Sequence, residues 1–358
     1  MMTAARDSTR DDPMSTSTVP VIFSEEYYRD VVREFGYDSF ELEQFAFAAA
    51  GMEAAELNAR FLCHRRCDAY LKAPAASRIV TTGFGMSGPP HMGTVAQVLA
   101  ISRLQAAGER CQIVLGDLDA HNGKGRALGE TAELAERFEG FCRALGFDGE
   151  AGVIRRQYAE AEVLRNQYLL SHYISDGDFT AAEEDNHGYY ASLGIVEKEM
   201  TFRRKASLVL MAADFVTLGQ RFDAVLVMLG IDEHQYVRFA REVASRLDGH
   251  TILRSDFTLS SLYTRLARGF GGHPKMSKSI PGSSISVASS RQEIADLIAS
   301  DAASTPDTSP SYQLMCQLFR YSYEETIELV HECAGATARW KRAKRDLVEY
   351  LTAVVEQW

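Results

Sequence analysis

No apolar stretch in this chain approaches the roughly 18 residues that a membrane-spanning helix needs, so no spanning segment and no membrane partner are expected. The first twenty residues are rich in Ser, Thr, Asp and Arg and lack the apolar centre of a signal peptide. Residues 1–20 therefore read as a disordered tail, with Met2 or Met14 near the natural start. Cysteine is scarce: six among 358 residues do not make a disulfide framework, and a reducing cytoplasm is the expected compartment. Cys63 and Cys67 flank His64, but no second Cys/His pair with ligand spacing follows. They read as half-buried helix cysteines, and no protein-held metal is expected. Basic charge is also short. A net charge of −11 argues against a protein that coats nucleic acid generally, while leaving room for a local basic patch. No internal repeat of fixed period is present.

What is there is a globular composition, 46% hydrophobic and 24% charged. The length suits one large or two ordinary domains with a sizeable core. Residues 21–75 read as an N-terminal helical segment, one helix starting at Ser24-Glu25-Glu26 and another after Ser39. Arg78 to Thr82 is β-branched and ends at Gly83, a buried-strand signal. After a Gly/Pro turn, Val95, Val98, Leu99, Ile101 and Leu104 recur at helical spacing, and Gly108 closes the helix. Cys111 to Leu115 is a second strand, ending in Gly116-Asp117. Strand, turn, helix, strand is a βαβ unit, whose right-handed crossover places the turn at the carboxyl edge of a parallel sheet. A helix follows from Glu133 to Leu145. Residues 150–205 read as a mostly helical insertion, with breaks at Asp176-Gly177-Asp178 and Asp185-Asn186-His187-Gly188. Ala224 to Leu229 is a continuous apolar run, as expected of a central parallel strand. Helices follow over 233–247, 291–300 and 312–358. The fold class is α/β: a Rossmann-type parallel sheet over 76–295 with the helical insertion, and a short helical C-terminal domain over 296–358.

Two segments carry chemistry. In Pro90-His91-Met92-Gly93-Thr94, His91 and Gly93 stand where the first strand's loop enters a helix. A helix start offers free N–H groups and partial positive charge to phosphate. Gly93 lets a nucleotide lie close to the backbone, and His91 can donate to phosphate oxygens. In Lys275-Met276-Ser277-Lys278-Ser279, two cations share one short loop between Gly271-Gly272 and Pro281-Gly282. Such a loop can stabilise negative charge on departing pyrophosphate. A third segment, Gly230-Ile231-Asp232-Glu233-His234, follows the apolar strand directly. Carboxylates there suit ribose hydroxyls and a substrate ammonium.

The first segment resembles the HIGH signature of class I aminoacyl-tRNA synthetases, with Thr94 in place of the last His, and the second matches that family's KMSKS loop. Thr82-Gly83-Phe84-Gly85, Gly116-Asp117-Leu118-Asp119-Ala120-His121, Gly230 to Glu233 and the tail of the lysine loop to Ile285 are similar to the tryptophanyl/tyrosyl subgroup. The likeness spans approximately residues 60–345. It implies ATP with Mg2+, adenylation of an amino acid, transfer to tRNA, and a homodimer paired through the insertion. It further implies His91, Lys275 and Lys278 as catalytic residues, and Gly83, Gly85, Gly93, Thr94, Asp232, Ser277 and Ser279 as ATP-binding. Thr81, Val114, Asp119, Asp214 and Glu233 become the amino-acid pocket. Thr81 replaces an aromatic hydroxyl of these families, Val114 and Asp119 replace Gln or Glu, and Glu233 replaces Gln. The stretch after Ser279 is shorter than the subgroup's usual helical anticodon-recognition domain, and it carries a basic cluster at Arg339, Lys341, Arg342, Lys344 and Arg345. These departures leave the amino acid open. They also keep a second expectation in play, a ligase that acylates a small molecule or carrier in place of tRNA. A regulatory paralogue without catalysis would have no need of the intact lysine loop.

Overall fold

The computed structural model describes residues 23–40, 52, 54–180, 182, 187–194, 200–302 and 305–358. The expected tail over 1–20, the stretch after Ser39 and part of the Asp185 break lie outside them. The described elements, in chain order, are α1 (Glu25–Phe35), α2 (Ala54–Arg60), β1 (Phe61–Arg65), α3 (Cys67–Lys72), β2 (Arg78–Gly85), α4 (Met92–Ala106), β3 (Cys111–Gly116), α5 (Asp117–Lys124), α6 (Leu128–Ala144) and β4 (Val153–Arg156). Then come α7 (Ala161–Leu170), α8 (His187–Ser192), α9 (Phe202–Gly219), β5 (Ala224–Gly230), α10 (His234–Ser245), β6 (Thr258–Thr264), α11 (Arg291–Ser300), α12 (Pro310–Gln317), α13 (Tyr323–Ala334) and α14 (Ala338–Val355).

The six strands form one sheet in the order β1-β6-β5-β2-β3-β4. All pairs are parallel except β1 with β6. The chain builds outward from β2 through β3 to β4, then returns to β5 on the other side of β2. That reversal creates a switch point between β2 and β5, where ligands bind in open α/β sheets. The pairing register makes the crevice concrete. β2 pairs with β5 only from Arg78↔Ala224 to Thr81↔Val227. Beyond Thr81, β2 stays with β3 as far as Gly85↔Gly116, and β5 stays with β6 as far as Gly230↔Thr264. The two central strands thus part at their carboxyl ends.

Alternation along β2 divides the core between the two faces. Val80 and Phe84 join a cluster with α4, α6 and the C-terminal helices, including Leu314, Leu347 and Leu351. Ile79 joins the other cluster, with Val225, Val227 and the inner faces of α1, α7, α9 and α10. Helices α12 and α14 therefore share one continuous core with the sheet.

Three sequence expectations change. Residues 61–65 are a strand, because Phe61-Leu62-Cys63-His64-Arg65 pairs along the edge of β6. Tertiary pairing outweighs the weak helical pattern there. Cys63 accordingly lies on a strand, and both it and Cys67 are fully buried rather than half-buried. Burial pushes the Cys63 thiol up to about 12, and Cys67 Sγ bonds the Ser261 carbonyl. Finally, Val153–Arg156, inside the insertion expected to be mostly helical over 150–205, is the edge strand β4, because it pairs in parallel with β3.

Candidate active site

The crevice is a cavity of about 370 Å³ at the carboxyl ends of β2 and β5. Its walls bring together His91, Gly93 and Thr94 from the start of α4, Asp232 and Glu233 from the end of β5, and Lys275, Ser277, Lys278 and Ser279 from the lysine loop. Gly83, Gly85, Val114, Asp119 and Asp214 also line it. Thr81 does not. It is the last β2 residue still paired with β5, and its buried hydroxyl accepts from Gln112 Nε2 at 3.3 Å. A threonine is too short to reach the cavity from that depth.

Backbone contacts hold the two signature loops together. Met92 N donates to Ile285 O at 2.9 Å and Val287 N to Pro90 O at 3.0 Å, with a β-bridge between His91 and Ser286. The helix start is thus less free than the sequence suggested. The Met92 N–H is used by Ile285, and the Thr94 N–H by His91 O at 2.8 Å and His91 Nδ1 at 3.3 Å. His91 caps α4 by folding its ring back over the first turn. A Cβ on Gly93 would meet that ring at 2.9 Å, so the ring position itself requires glycine.

Because Nδ1 accepts, a neutral His91 carries its proton on Nε2 and can donate from there. The neutral form is enforced. Burial, then the cations of Lys278 and Lys275, hold the His91 pKa down to about 3. Lys278 is an exposed residue, and its ammonium donates to Gly85 O at 3.2 Å. Desolvation lowers that ammonium to about 8, with Glu233 opposing the shift and Lys124 adding to it. Lys275 is paired with Asp232 and lies 5.6 Å from the centre of the Tyr190 ring. The Tyr190 hydroxyl in turn donates to Ser277 Oγ at 2.9 Å. Gly230 is required beneath this pair, since a Cβ there would meet Asp232 Oδ1 at 2.5 Å.

On the opposite wall, both carboxylate oxygens of Asp214 are engaged. Arg155 Nη2 donates to Oδ1 at 2.5 Å and Gln157 Nε2 to Oδ2 at 2.8 Å. Burial pushes the Asp214 carboxyl up, against the pull of Arg155 and Gln157. Asp117 is structural, accepting from Leu118 N at 2.8 Å and Tyr158 N at 3.1 Å. Sequence reasoning missed Tyr190, Gln157 and Ser207, all of which line the cavity. None carries a local signal, since each reaches the site through the placement of a helix or loop distant in sequence. Among the described residues, no group of three or more His, Cys, Asp or Glu is placed to hold a metal.

This arrangement can bind a polyphosphate. A neutral imidazole donor, two lysines and a hydroxyl-rich loop converge on one crevice, with carboxylates beside it for a sugar or an ammonium group. The chain is also similar to known proteins. The family model described as "tRNA synthetases class I (W and Y)" matches residues 74–357. Tryptophan--tRNA ligase 1 of Halobacterium salinarum is 27% identical over 254 residues, which cover 68% of this chain and 44% of that protein. The match thus spans less than half the length of that relative. Tryptophan--tRNA ligase of Aeropyrum pernix is 28% identical over 269 residues, 72% of this chain and 67% of the relative. In structure, the tryptophanyl-tRNA synthetase of Aeropyrum pernix K1 superposes with a TM-score of 0.77 at 22% identity, covering 93% of this chain and 92% of that one. The likeness in structure concerns the fold, and the family match concerns the sequence itself: the chain belongs to the class I tRNA synthetases of the W and Y family.

Proposed function

We propose that the protein activates an amino acid with ATP, releasing pyrophosphate, and transfers the aminoacyl group from the adenylate to tRNA, with tryptophan the nominal amino acid. One observation carries this reading: His91 and the loop of Lys275 and Lys278, far apart in sequence, line a single crevice at the sheet's switch point. The amino-acid carboxylate attacks the α-phosphate of ATP, and pyrophosphate leaves. His91 Nε2–H and the Lys278 ammonium oppose the charge that grows on the phosphate oxygens, an effect largest in the transition state. Asp232 is the ribose ligand in this reading, and Glu233 and Asp119 face the amino acid. Lys275 must leave Asp232 as nucleotide enters. Mg2+ accompanies the nucleotide and neutralises phosphate charge. Of the C-terminal basic cluster, Lys341, Arg342 and Arg345 are exposed and are read as meeting tRNA phosphates. Arg339 is paired with Glu328, and Lys344 donates to Asp301 O.

The ligase that acylates a small molecule is not favoured, because the family and the named relatives are tRNA ligases. A homodimer, in a cytoplasmic setting, belongs to the same reading. Its support is that two aromatic side chains of the expected insertion stand in solvent, Tyr158 at 65% and Tyr168 at 83% exposure. The test is aminoacylation of total tRNA with labelled tryptophan and a wider amino-acid panel. Label on the 3′ end of tRNA supports the proposal. Adenylate formation with no label on any tRNA would overturn the transfer step.

A further inference from the structure

Asp214 lies on the cavity wall but is already committed elsewhere. Arg155 holds Oδ1 and Gln157 holds Oδ2. A carboxylate can only accept hydrogen bonds, so it fixes which way the Gln157 amide points. The NH2 group must face Asp214, and the amide oxygen must therefore face the other way. There it accepts from the Asp119 backbone N–H at 3.0 Å. That N–H lies in the first turn of α5, where no intrahelical partner exists. All three relay side chains are buried or nearly so, Gln157 and Asp214 at 3% exposure. Water therefore competes little for the hydrogen bonds of Gln157 and Asp214.

The end of this chain of contacts, Asp119, lines the crevice. A Cβ placed on Gly85 would meet Asp119 Oδ2 at 3.5 Å, and one on Gly123 would meet Oδ1 at 3.5 Å. The Gly85 carbonyl is the group that receives Lys278. The Asp119 carboxylate thus lies between Gly85 at the end of β2 and Gly123 of its own helix, on the wall of the crevice.

We propose that Arg155, Asp214 and Gln157 are positioning residues: a buried relay whose hydrogen-bond polarity, set by Asp214, aims Asp119 at the amino acid. Asp214 acts through Gln157 and does not contact substrate. This rests on the functional reading above, in which Asp119 faces the amino acid. The relay itself is independent of that reading.

Reversing the hydrogen-bond polarity at Asp214 tests the relay. In Asp214→Asn, the new side chain still accepts from Arg155 with its oxygen but presents NH2 to Gln157. The Gln157 amide must flip, turning its NH2 toward the Asp119 N–H, donor against donor. Adding Gln157→Glu repairs the chain. Asn NH2 then donates to one Glu oxygen, the other accepts from Asp119 N–H, and the single negative charge has only moved. Two readouts separate the claims. Amide hydrogen exchange of the segment 117–124, needing no activity, is expected to rise at least about tenfold in Asp214→Asn and to return toward wild type in the double variant. Pyrophosphate exchange is expected to give an amino-acid KM raised roughly tenfold in the single variant, with the ATP KM changed less than about twofold, and the double variant restored to within about threefold. Equal protection in wild type and Asp214→Asn, or a double variant no better than the single, overturns the relay. Altered protection with an unchanged amino-acid KM overturns the role of Asp119 while leaving the relay in place. Altered protection in Asp214→Asn, with a wild type that activates no amino acid, overturns the functional reading alone. If Asp214→Asn does not fold, Gln157→Leu keeps the ion pair and removes the amide. It must then raise exchange at 117–124, and unchanged protection overturns the proposal.

Discussion

His91 and Lys278 are the residues whose charge states decide the chemistry, and both are set by surroundings that the sequence does not display. His91 is held neutral with a pKa of about 3, so the rate between pH 5 and 8 has no limb from its titration, and it serves as an N–H donor throughout. Lys278 is the reverse case. Its pKa in the free protein falls to about 8, so the ammonium is charged below that pH and lost above it. The expected result is a kcat/KM for ATP that declines as pH rises through about 8, because kcat/KM reports groups of the free enzyme. Lys278→Arg should remove that decline, since a guanidinium stays charged. A wild-type profile level to pH ~10 would contradict the assignment. The linked stability effect has the opposite sense. The folded pKa lies below the unfolded value of 10.5, so the unfolded chain binds more protons between the two values and this group's contribution to stability rises with pH across that window.

Among the elements, the parts legible in advance were those with a strong local pattern. The β-branched run at Arg78 to Thr82, the apolar run at Ala224 to Leu229 and the helical spacing after Val95 each announced their structure, and all lie within β2, β5 and α4. The edge strand β1 was hidden, because its strand character comes from pairing with β6 nearly two hundred residues away. The C-terminal helices read as a unit in sequence, yet Leu314, Leu347 and Leu351 pack in the same cluster as Val80 and Leu115 of the sheet. Cooperative unfolding follows from that shared core. Leu347→Ala, at a fully buried position, should cost about 2–5 kcal/mol and lower the melting temperature of the whole chain in a single transition. Loss of the C-terminal helices alone, with the sheet still folded, would show that the packing across this boundary is weak. Calorimetry with far-ultraviolet circular dichroism distinguishes the two.

For the molecule as a whole, the site was legible where sequence letters carry the chemistry and obscure where geometry does. His91, Gly93, Lys275, Lys278, Asp232 and Glu233 stand in short runs whose residue types suit phosphate, ribose and ammonium, and the fold gathers them in one crevice. Thr81 was placed in the pocket by resemblance, but it lies below the cavity wall. Gln157 and Tyr190 gave no signal, because each reaches the crevice only through the fold. The exposed Tyr158 and Tyr168 lead to a separate prediction: light scattering should report about twice the chain mass of 39.7 kDa at micromolar concentration. A mass near that of one chain would refute a stable dimer. Adenylation at the crevice is the step on which the function rests. It is tested most directly by amino-acid-dependent exchange of pyrophosphate into ATP, across a broad amino-acid panel that includes non-proteinogenic members, for wild type and Lys278→Ala side by side. The predicted result is exchange with at least one amino acid, reduced about 10²–10³-fold by the substitution. Exchange with none of them, or a Lys278→Ala rate equal to wild type, would contradict it.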